Sequence, residues 1–234
     1  MLWVGVLIAV LWVGDTQKGA AFALNADVSA RLVLASAHHG AEHKAEKPPP
    51  AVIWLKPVQT DAHPPPPGTF TLLQKNKMFT PHLLVVPVGS SVAFPNADPV
   101  FHNVFSLFDG RRFDLGLYEA GSTRSVLFSR EGVSYIFCNI HSEMSAVVVS
   151  VATPFYDAAD EFGKFRLKDV PDGEYELHVW IEGQRQGALD RLTRHVHVAG
   201  ESADLGEIRF DLPEQTQHLN KFGHPYETPK DQIY

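Results

Sequence analysis

Cysteine is almost absent: the 234 residues include one, Cys138. A single thiol cannot close an intramolecular disulfide, so the fold rests on its apolar core and on any metal it holds. Charge is sparse too. Charged residues make up 20% of the chain, and the formal balance is −7. That balance argues against a nucleic-acid partner and leaves no basic patch for a membrane surface. Catalytic signatures are also missing. No Ser/His/Asp arrangement and no His-Glu-x-x-His motif stands out, so an enzyme is not expected. The apolar run from Leu2 to Val13 is too short for a comfortable bilayer span. What is present is ordinary globular material, with 44% hydrophobic residues and length enough for one or two domains.

The N-terminal run reads as a signal-peptide core, with Ala21-Phe22-Ala23 as a cleavage site, making residues 1–23 a leader and the mature chain free of a transmembrane span. The reading departs from the usual pattern in one respect: no Lys or Arg precedes the run. Export to a periplasmic or equivalent space suits an unpaired cysteine only if that cysteine is coordinated.

The cysteine sits in Tyr135-Ile136-Phe137-Cys138-Asn139-Ile140-His141-Ser142-Glu143-Met144. His141 follows Cys138 with two residues between, and Met144 follows His141 at the same spacing. A thiolate, an imidazole and a thioether on one short loop are soft or borderline donors for one metal. Two histidines, one cysteine and a weak axial methionine form the blue-copper donor set. The missing histidine has a candidate in His102, just past the turn-forming Asn96-Ala97-Asp98-Pro99. Glu143 lies inside the loop and is an alternative hard ligand in place of Met144, which would open the site.

These residues, with Phe79-Thr80-Pro81 and Val88-Gly89-Ser90-Ser91-Val92-Ala93-Phe94-Pro95-Asn96, resemble the cupredoxin family over roughly residues 68–152. The Cys-x-x-His-x-x-Met spacing looks most like amicyanin; Asn103 resembles the Asn after the first histidine in plastocyanin-like members. The resemblance implies a Greek-key β-sandwich and one type 1 copper held by His102, Cys138, His141 and Met144. It also implies that the Asn103 backbone donates toward the cysteine sulfur, and that His141 is the edge where electrons leave. The expected function is one-electron carriage, with a transient haem-protein or dehydrogenase partner in a haem-linked or amine-oxidation-like chain. Copper binding and delivery is the alternative, in which His38, His39 and His43 pass metal to the main site; a solvated loop is the plainer account of those three.

The rest of the chain also reads as β. Val28 to Ala35 alternates, and Ala51 to Leu55 is continuously apolar, as in a strand buried on both faces. A polyproline connector, Pro64 to Pro67, follows. Prolines mark 81–88 and 91–94 as edge strands. His82 reads as a solvent-facing strand residue. After Val151, Phe162-Gly163-Lys164-Phe165-Arg166-Leu167 and Val170-Pro171-Asp172-Gly173-Glu174-Tyr175-Glu176-Leu177 resemble the carboxypeptidase regulatory-like (transthyretin-like) sandwich. Tyr175, Leu177 and Val179 should share one face, Glu176 and His178 the other. Residues 153–212 supply about four strands, few for an independent sandwich. The pair 28–36 and 51–57 is expected to complete them. The cupredoxin-like segment is then an insertion, the second domain spans 28–60 with 153–212, and 213–234 is a flexible tail. The expected fold class is all-β, two sandwiches in one chain.

Overall fold

A computed structural model describes residues 25–35, 47–59, 63–107, 110–211 and 220–225. Among these, β1 (Asn25–Leu34) and β2 (Ala51–Pro57) come first. Ten strands follow: β3 (Thr69–Thr71), β4 (Leu73–Lys75), β5 (Met78–Thr80), β6 (Leu83–Pro87), β7 (Ser90–Pro95), β8 (His102–Ser106), β9 (Phe113–Tyr118), β10 (Thr123–Phe128), β11 (Gly132–Phe137) and β12 (Ser145–Val151). Then come β13 (Tyr156–Ala158), β14 (Lys164–Pro171), β15 (Gly173–Ile181), a short helix α1 (Gln186–Leu192), β16 (Arg194–Val198) and β17 (Ser202–Phe210). Among the described residues the protein is all-β apart from that short helix, which the sequence pattern does not announce.

One sandwich is built from residues 69–151. A five-stranded sheet, order β6-β12-β11-β8-β9, faces a three-stranded sheet, order β10-β7-β3. Between them lie Val92, Phe94, Val104, Phe128, Ile136 and Val148. β6 stands at a sheet edge, as Pro81 before it and Pro87 at its end suggest, but β7 runs between β10 and β3 and carries Pro95 only at its last position. β4 and β5 form a separate hairpin that turns on Asn76 and Lys77, both at φ 56°. This is the left-handed pair that a two-residue hairpin demands.

The other sheets join sequence from both sides of that segment. β1 pairs with β14 and β17, and β2 pairs with β13 and β15. β1 and β2 therefore lie in two different sheets and are not a pair with each other. Their apolar pattern specified burial, but not which neighbour supplies the hydrogen bonds. β1 alternates as expected: Ala26, Val28, Ala30 and Leu32 are buried and the residues between are exposed. Tyr175, Leu177 and Val179 are buried on one face of β15, with Glu176 and His178 on the other.

β12 joins the two halves. Val147, Val149 and Val151 belong to the core shared with β2 and β15, whereas Ala146 and Val148 point into the 69–151 core. Each fully buried valine side chain contributes about 1.5–3 kcal/mol, so burial on both faces makes β12 the main apolar seam. Polar contacts flank it. Trp180 Nε1 donates to Tyr135 Oη at 3.1 Å, Lys56 pairs with Glu131 at 2.7 Å, and His82 Nε2 meets Glu182 Oε1 at 2.6 Å. His82 is thus a bridging residue between the two halves, not a free surface histidine. No helix among the described residues is long and apolar enough to cross a membrane.

Candidate metal centre

The site grows from two antiparallel neighbours. Phe137 of β11 pairs with Phe105 of β8, so the end of β11 and the start of β8 lie at the same end of the sheet. His102 is the first residue of β8, and Cys138 immediately follows β11. Residues 138–144 then turn back into β12. Two backbone bonds close this loop: Cys138 N–H to Met144 O at 3.1 Å, and Met144 N–H to His141 O at 3.0 Å.

Three donor atoms converge. His102 Nδ1 lies 3.2 Å from His141 Nδ1 and 3.8 Å from Cys138 Sγ, and His141 Nδ1 lies 3.6 Å from the same sulfur. They form the group of metal-ligating side chains found among the described residues. A point equidistant from all three atoms lies about 2 Å from each, close to the roughly 2.0–2.1 Å and 2.3 Å of ordinary metal–imidazole and metal–thiolate bonds. The triangle therefore fits a small transition-metal ion without rearrangement. Cys138 and His102 are fully buried and His141 is half-buried. Met144 is fully buried in the same apolar cluster as Cys138, while Glu143 is exposed. His38, His39 and His43 lie outside the described residues, as do residues 1–23.

The imidazole of His102 is held from behind. Its Nε2–H donates to Asp98 Oδ2 at 2.8 Å, leaving Nδ1 free to face Cys138. Such an outer carboxylate sets the tautomer and the ring orientation of a ligating histidine. Asp98 is itself anchored: its carboxylate accepts Asn76 N–H at 2.6 Å and Lys77 N–H at 2.8 Å. The left-handed backbone at Lys77 is uncommon for a side-chain-bearing residue; its donated hydrogen bond gives that conformation a structural use. Asn96 Oδ1 accepts the Asp98 N–H at 3.0 Å, fixing the turn. The sequence reading took Asp98 only as a turn former. The spacing Asp98 to His102 was visible, but nothing local says that the carboxylate turns inward.

Electrostatics follow from these contacts. Burial pushes the Asp98 carboxyl up, yet the Lys77, His102 and Asn76 hydrogen bonds outweigh it and hold the group below its ordinary value. Burial also pushes the Cys138 thiol up. Bonds from His102 and from the backbone N–H groups of Asn103, Ile140 and His141 reverse this and leave the thiol lowered. The Asn103 contact is the one that the resemblance implied. Burial, together with the charges of His102 and Lys77, pushes His141 down. His102 moves the other way: burial pushes it down, but its contacts with Cys138 and Asp98 outweigh this and leave it raised. The shifts at Cys138 and His141 are toward the thiolate and the neutral imidazole, the forms that bind a metal.

No family model and no curated protein matches the chain. Among solved structures, a purple cupredoxin from Nitrosopumilus maritimus is similar over 35% of this chain and 99% of its own, at 23% identity and a TM-score of 0.32. A methionine-to-alanine variant of amicyanin in its Cu(I) form aligns over 42% of this chain and 98% of its own, at 17% identity and a TM-score of 0.34. A copper-containing nitrite reductase from Thermus scotoductus SA-01 aligns over 41% of this chain and 25% of its own, at 22% identity and a TM-score of 0.35. The functional reading stands on the donor geometry and not on this likeness.

Proposed function

We propose that this chain is an exported type 1 copper protein that carries single electrons, with the metal held by His102, Cys138, His141 and Met144. The observation that carries the proposal is the triangle of two imidazole nitrogens and one cysteine sulfur, with His102 and Cys138 fully buried and edges of 3.2, 3.6 and 3.8 Å. Bound copper supplies a Cu(I)/Cu(II) couple, for which thiolate and imidazole donors are suited. The protein's part is to hold the donors still. Asp98 fixes His102, two backbone bonds close the loop around His141 and Met144, and burial keeps water from Cys138. Donors already placed for the metal need little movement when the charge changes.

Electron carriage suits this arrangement better than catalysis, because catalytic metal sites keep a coordination position for substrate. Met144, buried beside Cys138, fills the remaining direction in this reading, and the exposure of Glu143 favours Met144 over it. His141 is the electron exit. Ile140 and Phe101, sequence neighbours of the two histidines, are 41% and 53% exposed and supply an apolar rim. A small transient contact with a haem protein or a dehydrogenase fits such a rim. The pairing of β1 and β2 with strands after residue 155 supports reading 28–60 with 153–212 as one carboxypeptidase regulatory-like unit around the inserted copper segment.

The test is the visible and EPR spectrum of the Cu(II)-loaded protein, titrated with a reductant. An intense band with narrow copper hyperfine splitting, bleaching reversibly, is expected. Cys138→Ser should abolish that band, since it arises from thiolate-to-copper charge transfer; a mutant that kept its colour would refute the assignment. Met144→Leu should keep copper and raise the potential, because a weak axial donor is lost.

A further inference from the structure

Residues 220–225 come after the last strand of the second sandwich, yet they meet the metal end of the first. Lys221 makes two contacts there. Its backbone N–H donates to Asn139 Oδ1 at 3.0 Å, and its Nζ donates to Asp114 Oδ2 at 2.9 Å. The other oxygen of Asp114 accepts Asn103 Nδ2–H at 2.7 Å and Gly116 N–H at 2.9 Å. Asn139 directly follows Cys138, and Asn103 directly follows His102. One lysine therefore ends two chains of hydrogen bonds, and each chain begins on the residue next to a metal donor. The lysine is presented by a formed element. Asn220 N–H bonds His224 O at 2.9 Å, Gly223 N–H bonds Asn220 O at 2.9 Å, and Asn220 Oδ1 accepts the N–H groups of Phe222 and His224.

We propose that Lys221 is a positioning residue of the metal centre, clamping the loop at Asn139 and the His102 strand through Asp114 and Asn103. The clamp stands on the contacts themselves; its effect on a copper potential rests on the function proposed above. Two consequences follow. A loop pinned at Asn139 resists swinging Cys138 and His141 apart. A cation near the donors favours the less positive metal state, Cu(I), and so raises the reduction potential, whereas an unpaired Asp114 carboxylate lowers it. Asp114 fits this role: burial pushes its carboxyl up, but Lys221, Gly116 and Asn103 hold it below its ordinary value.

The experiment uses the full chain with Lys221→Met, Lys221→Arg and Asn139→Ala. Amide hydrogen exchange on metal-free protein reads the clamp directly. Peptides covering 138–144 should exchange about tenfold faster in Asn139→Ala, as expected when a local opening loses one restraint. Copper-loaded Lys221→Met should show a lower midpoint potential with its absorption band retained, and Lys221→Arg should restore the midpoint. Unchanged exchange in Asn139→Ala overturns the clamp. An unchanged midpoint in Lys221→Met overturns the role of the charge. If the unmodified protein takes up copper without a thiolate band, it is the copper reading that fails, and the exchange measurement still decides the clamp.

Discussion

The two sandwiches differ most in what they bury. Among the described residues, the buried polar and charged side chains are Gln74, Ser90, Asn96, Asp98, His102, Asn103, Ser106, Ser134, Ser150 and Thr153. All but Thr153 lie between residues 74 and 150. Apart from Thr153, whose hydroxyl donates to Leu55 O of β2 at 2.8 Å, the half built from β1, β2 and β13 to β17 buries apolar and aromatic side chains, such as Val28, Ile53, Leu55, Phe165, Leu177 and Trp180. Burying a polar group costs free energy unless its hydrogen bonds are replaced. A core that takes on an aspartate, a histidine and two asparagines is shaped by something besides stability: His102 is one of the candidate donors, Asp98 and Asn103 lie next to it in space or sequence, and Asn96 holds the Asp98 turn. The second half is a mainly apolar frame that shares the β12 seam.

That contrast can be tested from both sides. Leu177 is fully buried in the apolar half. Leu177→Ala should cost about 2–5 kcal/mol of stability, the usual range for a buried leucine. Chemical denaturation measures the loss, and the spectrum of the copper-loaded protein should not move. A shifted spectrum would mean that the frame sets the donor geometry and that the two halves are not separable in role.

Asp98→Asn makes the reverse test. It preserves the size of the side chain but replaces an ionised acceptor of three hydrogen bonds with an amide that has one acceptor oxygen. Losing such an outer partner of a ligating histidine typically weakens metal binding about 10–100-fold. Competition with a chelator of known affinity measures it. Unchanged affinity would show that His102 is held by packing alone and that the Asp98 contact is incidental.

How far the sequence led differs between these halves for the same physical reason. The loop that carries the proposed donors could be picked out because Cys138, His141 and Met144 are close in sequence and chemically unusual; the structure brings the first two together with His102. The alternation in Val28 to Leu32 and in Tyr175 to Val179 was legible because period-2 burial is local. Partners distant in sequence were not. Lys221 lies 82 residues from Asn139 and 107 from Asp114, and no spacing rule connects them. The separate sheet placement of β1 and β2 was hidden likewise, since an apolar strand declares that it is buried but not beside what. Helix α1 is seven residues long and buries only Leu189, too short to carry a periodic pattern.

The smallest expected effect lies where the halves meet. His82 Nδ1 bonds Ser145 O at 3.2 Å, and Nε2 bonds Glu182 Oε1 at 2.6 Å. A carbonyl and a carboxylate only accept, so this arrangement favours the doubly protonated, cationic imidazole. The bond to Glu182 raises the His82 pKa, burial opposes it, and the Glu182 charge and Ser145 add to the rise. A histidine raised on folding contributes in full below its unfolded value, about pH 6.5, and that contribution fades as pH rises through the higher folded value. With His82 and Glu182 side chains 42% and 33% exposed, solvent screening limits the pair to at most about 1 kcal/mol. The stability difference between the unmodified protein and His82→Gln should therefore be largest just below the unfolded value of about 6.5 and shrink as pH rises through the raised folded value. Glu182→Gln should flatten the same curve. Parallel pH curves for all three would remove this pair from the join and leave the apolar seam of β12 to hold the halves together.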